Sequence, residues 1–245
     1  MDNASKDVLF TIAIDLDLPS LLRWCQSNSE INKKVCNNAD VWRSKLLRDY
    51  PDYERFNLTR SLREIYVFMY QLSLIKKLLN TNVKLYDIFL KTDLNLSNKK
   101  LKKVPAFDLP LLQSLDLSNN NLIEVPKFHL PNLRVLNLSF NSLTEVPRLN
   151  LPNLEGLLLQ HNSLTEIPDL NLPNLQYLYL HNNKLLKVPS FDLPNLRELS
   201  LYNNSLTEIP AFNLPNLQAL HLHNNQFTEA EKKRIRDKYI NEVMF

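Results

Sequence analysis

The sequence predicts an α+β chain in which a small helical bundle precedes a solenoid whose parallel sheet lines one concave side. Three observations predict it. Residues 93–227 repeat on a 21-residue step, residues 5–50 carry apolar side chains at helical spacing, and residues 228–245 return to a helical pattern. A fixed period of that length marks stacked units, each burying its apolar face against the next.

The repeat is read in columns. Leu94, Leu115, Leu136, Leu157, Leu178, Leu199 and Leu220 form one, and Leu96, Leu117, Leu138, Leu159, Leu180, Leu201 and Leu222 the next. In this L-x-L stretch leucines alternate with other residues, the period-2 signature of a strand with one buried face. Each buried leucine contributes roughly 1.5–3 kcal/mol. Asn120, Asn141, Asn162, Asn183, Asn204 and Asn225 form a third column, where the chain turns inward after the strand. An amide there can bond backbone groups that the turn leaves unpaired, and losing such a bond costs about 1–3 kcal/mol. Two proline columns, from Pro105 to Pro210 and from Pro110 to Pro215, stiffen an extended return and exclude helix from it. In the first repeat Lys99 takes the Asn position, which predicts an end coil open to solvent or covered by what precedes it.

The pattern L-x-x-L-x-L-x-x-N-x-L over residues 91–227 resembles leucine-rich repeats. The resemblance implies a right-handed leucine-rich-repeat solenoid of about seven 21-residue repeats with its parallel sheet on the concave face. A C-terminal helical cap is predicted from "FTEAEKKRIRDKYINEVMF". Thr228 and Glu231 have capping-box spacing, and Ile235, Tyr239 and Val243 recur every four residues. The mixed signs of "EKKRIRDK" mark a solvated helix face, not a nucleic-acid patch.

Composition narrows the function. The chain has 245 residues, 44% of them hydrophobic and 22% charged, with a net charge of +3 that gives no argument for nucleic acid. Its single glycine, Gly156, excludes the Gly-rich loops that cradle phosphates and the Gly-x-Ser-x-Gly elbow. No nucleophile–base or metal constellation stands out, so no enzyme, cofactor or metal is expected. No apolar run reaches the ~20 residues of a membrane span. The opening "MDNASKDVLF" lacks a signal-peptide layout, and Cys25 and Cys36 make no disulfide framework. Both points favour a reducing, cytoplasmic setting.

The residues between the leucines build the concave face. Early repeats offer Asp, Asn and Ser. Later ones offer Leu158, Tyr177, Tyr179, His181, Tyr202, His221 and His223. With adjacent strands ~4.8 Å apart, His181, Tyr202 and His223 should form a continuous row. Aromatic residues displayed outward suit a protein partner, since Tyr brings contact area and a hydrogen bond at low entropic cost. The alternative is that they pack on their cross-strand neighbours.

The first ninety residues read as helix. Val8, Leu9, Ile12, Ala13 and Leu16 share one spacing. Asp17 or Leu18 caps a helix with Pro19 in its first turn, burying Leu21, Leu22 and Cys25. Ile31 and Val35 lie four apart. A further helix starts at Asn38 or Asp40, buries Trp42 and Leu46 and stops before Pro51. Ser61 and Glu64 then open a helix with Leu62, Ile65, Tyr66, Met69 and Leu72 on one stripe.

"DVLFTIAIDLDLPSLLRWCQSNSEINKKVCNNADVWRSKLLRDYP" resembles an F-box, especially those of giant DNA viruses. The matching features are Ile12, the "DLPSLL" step, Cys25 and "VWRSKL". The family's opening Leu-Pro is replaced by "DVL", and its aromatic after the central Cys falls near Ile31. The resemblance implies an adaptor that binds Skp1 and brings a protein substrate, held by the repeats, to a cullin ubiquitin ligase. Leu9, Ile12, Leu18, Leu21, Cys25, Ile31, Val41 and Trp42 would be the Skp1-facing set, or else the core of the helices. A second reading keeps only a leucine-rich-repeat scaffold or inhibitor, such as a viral effector, whose helices merely cap the solenoid. The expected organisation is an F-box-like domain at 1–56, a stiff helical connector and cap at 57–92, repeats at 93–227 and a capping helix at 228–245. The setting would be the host cytoplasm if the chain is viral.

Overall fold

The computed structural model describes residues 6–106, 108–239 and 243–245. They form two compact units that divide between Ile88 and Phe89.

The first unit is helical. It contains α1 (Lys6–Asp15), α2 (Leu18–Ser27), a short α3 (Ser29–Ile31) that runs into a π-helical turn at Asn32–Cys36, α4 (Ala39–Asp49), α5 (Leu62–Leu79) and all but the last residue of α6 (Leu85–Phe89). Its helices start where side chains satisfy the orphan amides of a first turn. Asp17 Oδ1 accepts from Ser20 N at 2.8 Å and Asn38 Oδ1 from Asp40 N at 3.0 Å. Ser61 and Glu64 make the reciprocal pair expected of them. The core gathers Leu9, Ala13, Leu21, Trp42, Leu46, Tyr66, Met69 and Leu72.

Three features of this unit differ from expectation. A domain boundary at residues 56/57 is absent, because α4 and α5 share one core. Trp42 meets Tyr66 with ring centroids 5.7 Å apart, and the Tyr66 hydroxyl donates to Asp49 Oδ2 at 2.6 Å. Next, Cys25 and Cys36 form a disulfide, with Cα atoms 6.1 Å apart. The chain turn after α3 brings the two residues side by side, a proximity that their separation in sequence does not announce. One of the two arguments for a reducing setting therefore falls. Finally, Lys45 is fully buried. Its Nζ donates to the carbonyls of Ile14 and Leu16, at 2.9 and 2.6 Å, where the end of α1 leaves acceptors unpaired. Burial lowers its pKa.

The second unit is the solenoid. Its strands are β1 (Asp93–Asn95), β2 (Ser114–Asp116), β3 (Val135–Asn137), β4 (Gly156–Leu158), β5 (Tyr177–Tyr179), β6 (Glu198–Ser200) and β7 (Ala219–His221). After α7 (Glu229–Lys238) comes β8 (Val243–Met244), and the sheet runs in the order β1 to β8. Neighbouring strands are parallel, and the first seven pair 21 residues apart, Leu115 opposite Leu136 and Leu136 opposite Leu157. Both leucine columns are buried along their whole length. Among the described residues no helix interrupts the chain between β1 and α7.

The buried asparagines staple each coil to the one before. Asn162 is typical. Its Nδ2 donates to the carbonyls of Leu138 and Leu159, each at 3.0 Å, and its Oδ1 accepts from Leu143 N at 3.0 Å. Asn120, Asn141, Asn183 and Asn204 repeat the scheme. Lys99 is exposed, while its backbone N donates to Asn120 Oδ1.

A second asparagine column does different work. Asn98, Asn119, Asn182, Asn203 and Asn224 all have φ between 52° and 58°. Asparagine tolerates this left-handed region better than other non-glycine residues. It fills the place that glycine often takes in turns, and the one glycine stands instead in β4. In two repeats the same slot holds Phe140 (φ 54°) and His161 (φ 56°).

The end of the chain corrects the sequence reading. α7 stops at Lys238, and Val243 belongs to β8, where it pairs with Leu220. Residues 240–242, through which a longer helix was expected, lie outside the described residues. Ile235 and Tyr239 are buried as expected, and the Tyr239 hydroxyl accepts from Phe212 N. The capping box is half made. Thr228 Oγ1 accepts from Glu231 N, but the Glu231 carboxylate turns to Ile209 N and Arg234.

Candidate functional site

The concave face is set by the pleat. Alternate residues of each three-residue strand point away from the leucine core, and parallel pairing brings equivalent positions of successive coils into register. Tyr177 pairs with Gly156 and Glu198, and Tyr179 with Leu158 and Ser200. Tyr177 is 39% exposed, while Leu158, Tyr179, His181, Tyr202, His221 and His223 are half-buried.

The structure joins most of these residues into one array. His181 stacks on Tyr202 and Tyr202 on His223, with centroids 4.3 Å apart in both pairs. Ser200 Oγ lies 3.0 Å from His181 Nδ1. Burial, followed by the neighbouring imidazoles His161, His221 and His223, pushes the His181 pKa down to about 4, so the ring is neutral near pH 7. The Tyr179 hydroxyl donates to Glu198 Oε2 at 3.0 Å, and the other carboxylate oxygen lies 3.5 Å from His221 Nε2. Glu198 thus ties three consecutive strands together on their outer face. Burial and that bond push the tyrosine pKa up to about 12. Tyr179 therefore spends its hydroxyl within the sheet, which is the cross-strand role the sequence left open.

Sequence reasoning missed the beginning of the array. Phe140 and His161 stack at 4.1 Å, and His161 meets His181 edge-on at 5.9 Å. The rings of Phe140, His161, His181, Tyr202 and His223 thereby run across five consecutive coils. Asn182 Nδ2 lies 3.2 Å from His161 Nε2, and Asn203 and Asn224 continue that polar line. The signal was present as an interrupted asparagine column just past the strands. Gln160, in the same column as His181 and one coil earlier, has a buried Oε1 without a hydrogen-bond partner among the described residues.

A different groove, of about 810 Å³, runs where the chain enters the strands. Asn132, Asn153, Asn174, Asn195 and Asn216 line it, and each donates from Nδ2 to a proline carbonyl of the preceding coil. These amides brace the return of the chain. Among the described residues no cluster of three or more His, Cys, Asp or Glu is arranged to hold a metal ion, and no helix is long and apolar enough to cross a membrane.

In the helical unit the structure places the eight Skp1-facing candidates mostly inward. Leu9, Leu18, Leu21, Cys25, Ile31, Val41 and Trp42 are 6% exposed or less, and Ile12 is 39% exposed. Trp42 further donates from Nε1 to Cys36 O at 2.8 Å. Seven of these side chains serve the unit's own core.

Two family models match the solenoid. One, described as leucine-rich repeats in two copies, matches residues 152–192 and 194–232, and one for a single leucine-rich repeat matches 111–131 and 132–154. Neither is a catalytic family. No curated protein matches the chain. Among solved structures, YopM from Yersinia enterocolitica WA-314 is 29% identical with a TM-score of 0.53, covering 73% of this chain. This chain spans 37% of that protein's length. InlP of Listeria monocytogenes is 24% identical with a TM-score of 0.46, over 71% of this chain and 67% of its own. Period, register, asparagine staples and the two family models agree that the chain carries leucine-rich repeats.

Proposed function

We propose that the chain is a non-enzymatic protein-binding module whose concave face holds a protein partner around Tyr177, Tyr179, His181, Tyr202, His221 and His223. The observation that carries this reading is the run of five rings over five consecutive coils, laid outside a core that the leucines already fill. Solenoids of this kind offer long concave surfaces to partners. Aromatic side chains held rigid by their neighbours lose little entropy on binding, so they serve as anchors. In this reading α7 and β8 close the last coil and leave the concave face open to a partner. Affinity capture with the wild type and with Tyr177→Ala and Tyr202→Ala tests it. The variants should hold the captured partner at least about fivefold more weakly, a loss of more than ~1 kcal/mol. Equal capture counts against the site.

A second reading makes the module a substrate-recognition subunit of a Skp1–cullin ubiquitin ligase. It rests on the F-box resemblance together with one exposed stripe. Val8 and Ile12, four residues apart on α1, are 50% and 39% exposed. Since Trp42 belongs to the core, the informative variant is Ile12→Asp. Purified Skp1 should bind the wild type and lose Ile12→Asp. Absence of wild-type binding leaves the scaffold or inhibitor reading.

A further inference from the structure

The concave face carries a charge pattern unlike the rest of the chain. The protein has 29 Lys and Arg residues and a net charge of +3. Yet the three columns of strand residues facing outward, and the left-handed column that follows them, hold Asp93, Asp116 and Glu198 and not one Lys or Arg. Lys99 and Lys100 come only after the first turn, at the edge. Glu198 is engaged by Tyr179 and His221. Asp116 accepts from Ser118 N through Oδ1 at 2.9 Å and lies half-exposed in the second coil.

One and two coils further on, two rings stand in a left-handed backbone. Phe140 and His161 occupy the slot where five other coils use asparagine, with φ of 54° and 56°. A phenylalanine in the left-handed region is strained, and such strain gathers at functional sites. Both side chains are exposed, and Phe140 is 46% exposed. The core gains nothing from them, while a partner gains an apolar surface.

We infer that this part of the concave face takes an extended basic segment of a protein partner, its Lys or Arg against Asp116 and an apolar side chain on the Phe140–His161 pair. The inference rests on the protein-binding reading above and names the chemistry of the occupant. Asp116 lies in the second coil and the rings in the third and fourth, one and two strand spacings (~5–10 Å) across and three positions further along the chain, so about 10–15 Å separates them, or three to five residues of extended chain. The pattern disfavours nucleic acid, whose phosphates would face carboxylates without a cation to meet them.

The test uses substitutions that neighbouring coils already contain. Asp116→Asn copies Asn95 and Asn137, which make the same bond to Ser97 N and Ser139 N. Phe140→Asn copies the asparagine of five other coils. Both should therefore fold. A random dodecapeptide library displayed on phage is selected on the full chain, and the winning peptides are titrated by fluorescence anisotropy. The expected winners carry net positive charge with a Lys or Arg three to five residues from an aromatic or aliphatic residue. Their affinity should fall about tenfold for Phe140→Asn and about fivefold for Asp116→Asn. Acidic or uncharged winners, an empty selection, or unchanged binding to both variants would overturn the inference. If Tyr179→Ala weakens peptides that ignore both variants, the protein-binding reading stands and the basic-segment inference falls. If peptides ignore all three, both fall.

Discussion

The first three repeats and the last four share one core and differ in how their concave side chains are used. In the early coils Asn95, Asp116 and Asn137 each accept from the backbone N–H two residues on, at 2.9, 2.9 and 3.1 Å. Those side chains serve their own turn. In the later coils the equivalent positions hold Leu158, Tyr179, Ser200 and His221, and polar contacts reach across coils, from Tyr179 to Glu198 and from Ser200 to His181. The leucines beneath are the same throughout, and the stapling asparagines recur in every coil after the first. The difference teaches that the core does not dictate the face above it. A period of 21 residues specifies the solenoid, and the columns outside that period are free to specify a partner.

The largest test of that separation lies in the core. Leu178→Ala should cost about 2–5 kcal/mol in denaturant unfolding, because the packed coil cannot collapse onto the lost volume. Asn204→Ala should cost about 3 kcal/mol by stranding the Leu180 and Leu201 carbonyls. Tyr177→Ala, on the same strand as Leu178, should change stability by less than about 0.5 kcal/mol. In the helical unit Cys25→Ser should cost about 2–3 kcal/mol, since the bridge closes a short loop in a small core. Alkylation followed by mass spectrometry should find neither cysteine free before reduction.

Two smaller effects bear on the rings themselves. Stability should fall as the pH drops from about 6.5 toward about 4, because the unfolded chain takes up a proton that the buried His181 ring refuses. Above that window the contribution is complete, and His181→Gln should flatten this part of the pH profile. Phe140→Asn should raise stability by roughly 1 kcal/mol by relieving the left-handed backbone. A drop in melting temperature for that variant would mean the ring supports the fold.

Much of the fold was legible because repetition multiplies a weak signal. One L-x-L says little, whereas seven in register allow no other reading. The helix starts at Asp17, Asn38, Ser61 and Thr228 were legible too, since capping is local chemistry. The row of His181, Tyr202 and His223 followed from strand spacing alone. What escaped was decided by contact or by turn geometry. Phe140 and His161 sit beyond the alternation of the strand, in a slot whose left-handed backbone no side-chain period reveals. Val243 kept helical spacing yet joined the sheet, because pairing with Leu220 outweighs a weak local pattern. Lys45 is buried by acceptors at the end of another helix, and the Cys25–Cys36 bridge depends on a tertiary turn. The F-box resemblance carried roles onto residues that packing has turned inward.

The central claim is that the concave rings serve a partner and not the solenoid. Its most direct test is Tyr202→Ser, which places in the sixth coil the residue that the first three coils carry as Ser97, Ser118 and Ser139. Denaturant unfolding and affinity for a peptide selected on the wild type are measured on the same preparation. The account predicts a stability loss of about 1–2 kcal/mol, the worth of its two ring stacks, with binding weakened about tenfold. A stability loss as large as that of Leu178→Ala, with binding preserved, would contradict it.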